Sequence, residues 1–168
     1  MLNVVLDTNV VLDWLLFADP ALNPLPERIA TGQVCVWTHA RAVEELRRVL
    51  GYTRLAVNAA RQAEVLESYR AQTHLLAMRA TSAPPAAFAA AVLEQATIAE
   101  PDLPKGFPHC RDADDDHFLQ LAYCCKADAL VSRDRALLRL ARRSAAFGVA
   151  ILTVRELVAR IRQDATGQ

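Results

Sequence analysis

The residues best suited to chemistry are acids, and they fall at a few similar places along the chain. Asp7 directly follows the apolar run Val4-Val5-Leu6, and Asp134 stands just past Leu130-Val131-Ser132-Arg133. Glu44 and Glu45 lie early in a stretch with helical apolar spacing, while Asp112, Asp114, Asp115 and Asp116 lead into Phe118 and Leu119. Taken singly, each has an ordinary explanation, since acids after a strand cap helices and acids in a first turn complement the helix dipole. Taken together they weigh differently. Asp7 should sit against the core, where an unpaired carboxylate is costly. Several carboxylates meeting at one rim would raise one another's pKa unless a cation joined them. A divalent metal resolves both difficulties. The donors are oxygens, with no His or Cys at regular ligand spacing beside Asp7 or Asp134, so Mg²⁺ or Mn²⁺ fits better than zinc. An EF-hand is excluded: Asp112, Asp114 and Asp116 match its first positions, but the required glycine is His117 and the bidentate glutamate is Tyr123.

The elements that would position these acids can be read from periodicity. Leu2–Leu6, Val34–Trp37, Ala129–Ser132 and Ala150–Thr153 are short apolar runs of the kind buried on both faces of a parallel sheet. Between them the apolar spacing becomes helical, as in Val43, Leu46, Val49 and Leu50, or in Phe118, Leu119, Ala122 and Cys125. Alternation of this kind predicts an α/β domain with helices on both sides of a short, mostly parallel central sheet. In such sheets ligands bind at the carboxyl ends of the strands, where these acids fall. From Asn58 to about Leu93 there is no β-branched run, so a pair of helices broken at Pro84-Pro85 is expected, followed by a loop over Pro101–Arg111. The whole chain, 1–168, reads as one domain with a helical insertion at about 54–100.

Composition narrows the class. With 168 residues and 53% apolar content, one core can be stable without disulfides. Cys35, Cys110, Cys124 and Cys125 form no Cys-x-x-Cys pair and are read as reduced thiols. The N-terminus has no secretory pattern, and the most apolar stretch, around Ala86–Leu93, is far shorter than the ~20 residues a membrane span needs, so a cytoplasmic protein is expected. Nineteen basic residues against 19 acids argue against a protein that coats nucleic acid or membranes through bulk charge. Setting aside Asp7, Glu45, Asp112, Asp114, Asp115, Asp116 and Asp134 leaves 12 acids against 19 bases, a balance of +7 elsewhere. Arginine supplies 17 of those bases, and arginine suits bidentate phosphate contacts. Arg111, Arg133 and Arg135 flank the acids and are candidate substrate contacts, with Arg41, Arg47 and Arg48 on the helix of Glu45. Trp14 and Trp37 read as core or interface residues rather than base-stacking platforms, and His117, which could touch substrate, as a helix-surface histidine.

These segments resemble the motifs of PIN-domain nucleases. Val4-Val5-Leu6-Asp7-Thr8-Asn9 is similar to the opening of that family, and Glu45-Leu46-Arg47 to its second motif. Arg111-Asp112-Ala113-Asp114-Asp115-Asp116 resembles the Arg-Asp-Pro-Asp-Asp segment of bacterial PIN proteins regarded as toxin components, with Ala113 in place of proline. Leu130-Val131-Ser132-Arg133-Asp134 resembles the fourth motif, with serine for the commoner threonine, and Ile151-Leu152-Thr153 the usual end. The resemblance spans Leu2 to about Ile161. It implies an acidic quartet of Asp7, Glu45, Asp115 and Asp134, supported by Asn9 and Ser132. Asp7, Asp115 and Asp134 would ligate the metal, Glu45 directly or through water, and Asp116 is the runner-up to Asp115.

The activity implied is metal-dependent hydrolysis of phosphodiester bonds in single-stranded RNA, by the toxin of a toxin–antitoxin pair whose partner is a cognate antitoxin. Family habit also raises a homodimer, for which Leu75, Leu76 and Phe88 are available, although the same residues could pack on the core. Two other readings compete. One is an RNA-binding PIN domain without activity, which retention of all four acids disfavours. The other is a phosphatase of the haloacid dehalogenase type, which wants a second aspartate where this chain has Asn9.

Overall fold

The computed structural model describes residues 1–76 and 103–166, with side chains as far as Gln163. In chain order the elements are β1 (Leu2–Leu6), α1 (Thr8–Leu15), α2 (Pro24–Ala30), β2 (Val34–Thr38), α3 (Ala40–Leu50), α4 (Ala59–Gln72), β3 (His74–Leu75), α5 (Asp116–Cys124), β4 (Ala129–Val131), α6 (Arg135–Leu138), α7 (Ala141–Ala145), β5 (Ile151–Leu152) and α8 (Val154–Thr166). The strands form one five-stranded sheet in the order β3-β2-β1-β4-β5, and every pairing is parallel.

Period-two alternation builds the layers. Leu2, Val4 and Leu6 of β1 point with Val34, Val36, Ala129 and Val131 into one core, which α1, α2, α3, α4 and α8 cover. Val5, Leu130 and Ile151 point the other way, onto Phe118, Leu119, Leu121 and Ala122 of α5 and Leu137 of α6. Both faces of the strands are therefore buried, which is why their sequences are continuous apolar runs. Trp14 is in the first core, and the indole N–H of the partly buried Trp37 donates to Asn3 Oδ1 at 3.1 Å. All four cysteines are free thiols. Among the described residues no helix is long and apolar enough to cross a membrane.

The structure departs from the sequence expectation in the middle of the chain. Residues 59–72 are helical, but the chain then turns into β3 within a region expected to remain helix. The strand is two residues long and pairs with Trp37 and Thr38 at the sheet edge, too short for any alternation to show. Leu75 belongs to β3 and is exposed, whereas Leu76 packs against the core formed with α5. The break at Pro84-Pro85, Phe88 and most of the expected insertion lie outside the described residues. The last two strands are also shorter than expected, ending at Val131 and Leu152.

The connections leave β1 towards β2 and β3 on one side, while β4 and β5 lie on the other. The switch point is thus between β1 and β4, where parallel α/β sheets open a crevice at the carboxyl ends of their strands.

Candidate active site

Asp7 ends β1 at that crevice. Its backbone N–H donates to Val131 O at 3.0 Å, so the sheet ladder carries it to the β4 side. One carboxylate oxygen caps α1 by accepting from Val10 N at 2.9 Å, and the other accepts from the Ser132 hydroxyl. Burial pushes the Asp7 carboxyl above its ordinary range, and the hydrogen bonds from Ser132 and the α1 backbone only partly offset this. The same Ser132 oxygen accepts from Asp134 N at 2.9 Å, so one buried hydroxyl links the two acids. Asp134 caps α6 through Oδ1, which accepts from Ala136 N at 2.5 Å and Leu137 N at 3.2 Å. Its Oδ2 takes no hydrogen bond from the described residues. Capping and a place in the site are compatible, because a cap needs only one carboxylate oxygen.

Glu44 and Glu45 separate clearly. Glu44 is exposed and pairs with Arg47 on its own helix at 2.5 Å. Glu45 turns inward, accepting from Thr8 Oγ1 at 2.7 Å and lying 2.6 Å from His117 Nε2. Burial pushes its carboxyl up, but these two hydrogen bonds, together with the nearby charges of His117 and Arg48, outweigh burial and hold it below the ordinary carboxylate value. Glu45 therefore ties α3 to the start of α1 and to α5.

His117 corrects the sequence reading. It is 3% exposed rather than on a helix surface, and its Nδ1 is buried without a hydrogen-bond partner among the described residues. A carboxylate can only accept, so the proton on this ring lies at Nε2, facing Glu45. The ring packs 5.0 Å from His39, whose Nδ1 caps α3 by accepting from Ala42 N at 3.0 Å. Burial, and then the neighbouring His117, push His39 down to about 4, so it is neutral near pH 7. Thr8, His39 and His117 were not among the expected site residues. Glu45 and His117 are 72 positions apart, and only the packing of α3 on α5 joins them.

Asp115 and Asp116 also part. Asp116 Oδ1 accepts from Cys110 N, and Oδ2 lies 2.9 Å from His109 Nδ1, so this side chain fastens the preceding loop. Asp115 precedes α5 without a side-chain cap, and among the described residues its carboxylate meets only the Cys110 thiol, at 4.0 Å. Burial, followed by the charges of Asp134, Asp112, Glu45 and Asp7 in that order, raises its carboxyl to about 6. Acids from four separate segments thus bear on one side chain. Asp112 itself is exposed and closes a turn by accepting from Asp114 N at 3.1 Å.

Among the described residues no three His, Cys, Asp or Glu side chains converge as a ready-made metal cage. Asp7 and Glu45 have both oxygens in hydrogen bonds, whereas Asp115 Oδ1 and Asp134 Oδ2 accept none from the described residues. An all-oxygen donor set, with one carboxyl held near neutrality by burial and its neighbours' charge, nevertheless suits a hard divalent cation, which would remove that repulsion.

The flanking side chains differ in use. Arg133 lies against Asp13 and, at 2.5 Å, Asp19, so it ties the loop after β4 to the far end of α1. Arg111 and Arg135 are exposed with no side-chain partner among the described residues, and Asn9 is exposed beside Asp7. Arg41 and Arg48 line, with Glu44, Glu45 and Asp114, an open cleft of about 200 Å³ on the α3 side.

A family model for the PIN domain matches residues 3–136. That span includes all four acids. No curated protein and no solved structure matches the chain.

Proposed function

The chain belongs to the PIN domain family, whose members are generally nucleases, and we propose that it is a metal-dependent endoribonuclease that hydrolyses single-stranded RNA. The observation that supports this reading is the gathering of Asp7, Glu45, Asp115 and Asp134 from separate segments around the carboxyl end of β1, where Ser132 links Asp7 to Asp134 and where burial and the neighbouring acids raise the Asp115 carboxyl to about 6. A set of carboxylates with this mutual repulsion has little structural use, but it has a direct use as a cation site. In this reading Asp7, Asp115 and Asp134 hold Mg²⁺ or Mn²⁺, with Glu45 joining directly or through water. The chemistry such an ion supplies is activation of water and neutralisation of charge at the phosphodiester. Ser132 fixes the Asp7 carboxylate and, through the Asp134 backbone, the loop after β4. Thr8 and His117 hold Glu45 in its ionised form. The reaction breaks one phosphorus–oxygen bond and adds water across it. In this reading Arg111 and Arg135, exposed and near the site acids in the chain, meet phosphates of the substrate.

The resemblance of Arg111–Asp116 to toxin components supports a toxin that acts in the cytoplasm and is held in check by a protein antitoxin. Cleavage of matched single-stranded RNA, double-stranded RNA and single-stranded DNA in Mn²⁺, each with an EDTA control, tests the substrate. Single-stranded RNA should be cut fastest and EDTA should stop the reaction. A preference for DNA, or cleavage that survives EDTA, would overturn the reading. Arrested growth on expression of the wild type, but not of Asp7→Asn, is the outcome expected for a toxin.

A further inference from the structure

We propose that Arg41 and Arg48 form a phosphate-binding subsite that holds the backbone of a single-stranded nucleic acid where it passes the catalytic acids on the α3 side; this rests on the nuclease reading. The first ground is register. Arg41, Glu45 and Arg48 stand at i, i+4 and i+7 and so share one face of α3, while Arg47 points elsewhere and is held by Glu44. The second is shape: both arginines line the open cleft of about 200 Å³ together with Glu44, Glu45 and Asp114, of which Glu44 is already paired with Arg47. A strand lying in this cleft therefore touches an acid of the proposed site and both guanidinium groups at once.

The third ground is availability. Arg48 is exposed and makes no hydrogen bond or close ion pair among the described residues, its charge acting only through space on Glu44 and Glu45. Among the described residues the ion pair of Arg41 is with Asp114 at 3.7 Å, between side chains 47% and 71% exposed. Such pairs contribute little and exchange readily for a stronger acceptor. At 1.5 Å of rise per residue the two Cα atoms are about 10 Å apart along the helix, so long arginine arms can take separate phosphates of one strand.

The test uses the full-length protein and a fluorescein-labelled single-stranded RNA, with binding read by anisotropy in EDTA from 50 to 200 mM salt. Cleavage in Mn²⁺ is measured in parallel. Arg41→Ala/Arg48→Ala should bind about tenfold more weakly, and its log–log salt slope should fall by about 1.4, because each phosphate neutralised on a single strand adds ~0.7 to that slope. Arg47→Ala is the internal control and should bind as the wild type does. The variants lie at exposed positions, and superimposable circular dichroism melts establish that they fold. Wild-type-like binding by the double variant overturns the subsite even if the protein cleaves RNA. An equal loss of affinity in Arg47→Ala also overturns it, by showing an effect of bulk charge. A wild type that neither binds nor cleaves RNA refutes the nuclease reading itself.

Discussion

Asp115 shows how an apparently redundant acid acquires a role. Four aspartates lie within Asp112–Asp116, and residue type does not separate them. Hydrogen bonding does: Asp112 closes a turn, Asp116 anchors the loop at Cys110, and Asp114 meets Arg41 in solvent. Asp115 alone faces the other site acids with its carboxyl raised to about 6. Linkage sets the sign of the consequence. A carboxyl raised in the folded state contributes stability fully below its unfolded value of 3.8, and that contribution is lost as pH rises through about 6. Without metal, Asp115→Asn should therefore be more stable than the wild type at pH 7.5, by about 1 kcal/mol once the shift is discounted for partial exposure, and the gain should shrink at pH 4. Urea denaturation in EDTA at the two pH values measures this. An equal difference at both would show that Asp115 does not carry the strain.

At the scale of elements, the site depends on how helices are docked at the ends of strands. Glu45 on α3 and His117 on α5 meet because both helices pack near the carboxyl ends of β1 and β2. This contact predicts that His117→Leu lowers kcat by roughly 10- to 100-fold, the usual effect of removing a group that orients a ligand, with KM little changed. His117→Gln, which can present an N–H to Glu45, should recover part of the loss. Steady-state cleavage of a fluorogenic RNA separates the cases, and equal losses in Leu and Gln would mean that His117 only fills space.

The same scale explains what could be read in advance. Leu2–Leu6 and Ala129–Val131 are buried on both faces, so burial wrote their character into the residues themselves. The acids at their ends were legible because strand ends are visible in sequence. β3 was not, because two edge residues carry no pattern. Nor were the roles of His117 and Arg133: each is decided by a distant partner, Glu45 in one case and Asp13 with Asp19 in the other.

For the molecule as a whole, zero net charge conceals an acidic crevice within an otherwise basic chain. The two parts need each other in a metal-dependent nuclease, since carboxylates without a cation would repel the phosphates that the arginines attract. The most direct measurement is Mn²⁺-dependent cleavage of one single-stranded RNA by the wild type, Asp7→Asn, Glu45→Gln, Asp115→Asn and Asp134→Asn, with Glu44→Gln as the neighbouring control. Asparagine caps helices about as well as aspartate, so Asp7→Asn and Asp134→Asn should remain folded. Each of the four site variants is predicted to lose at least about 100-fold in rate, on the order of 2.7 kcal/mol in the barrier, while Glu44→Gln cleaves as the wild type does. Undiminished cleavage by Asp7→Asn or Asp115→Asn, or an equal loss in Glu44→Gln, would contradict the assignment of these acids as the catalytic centre.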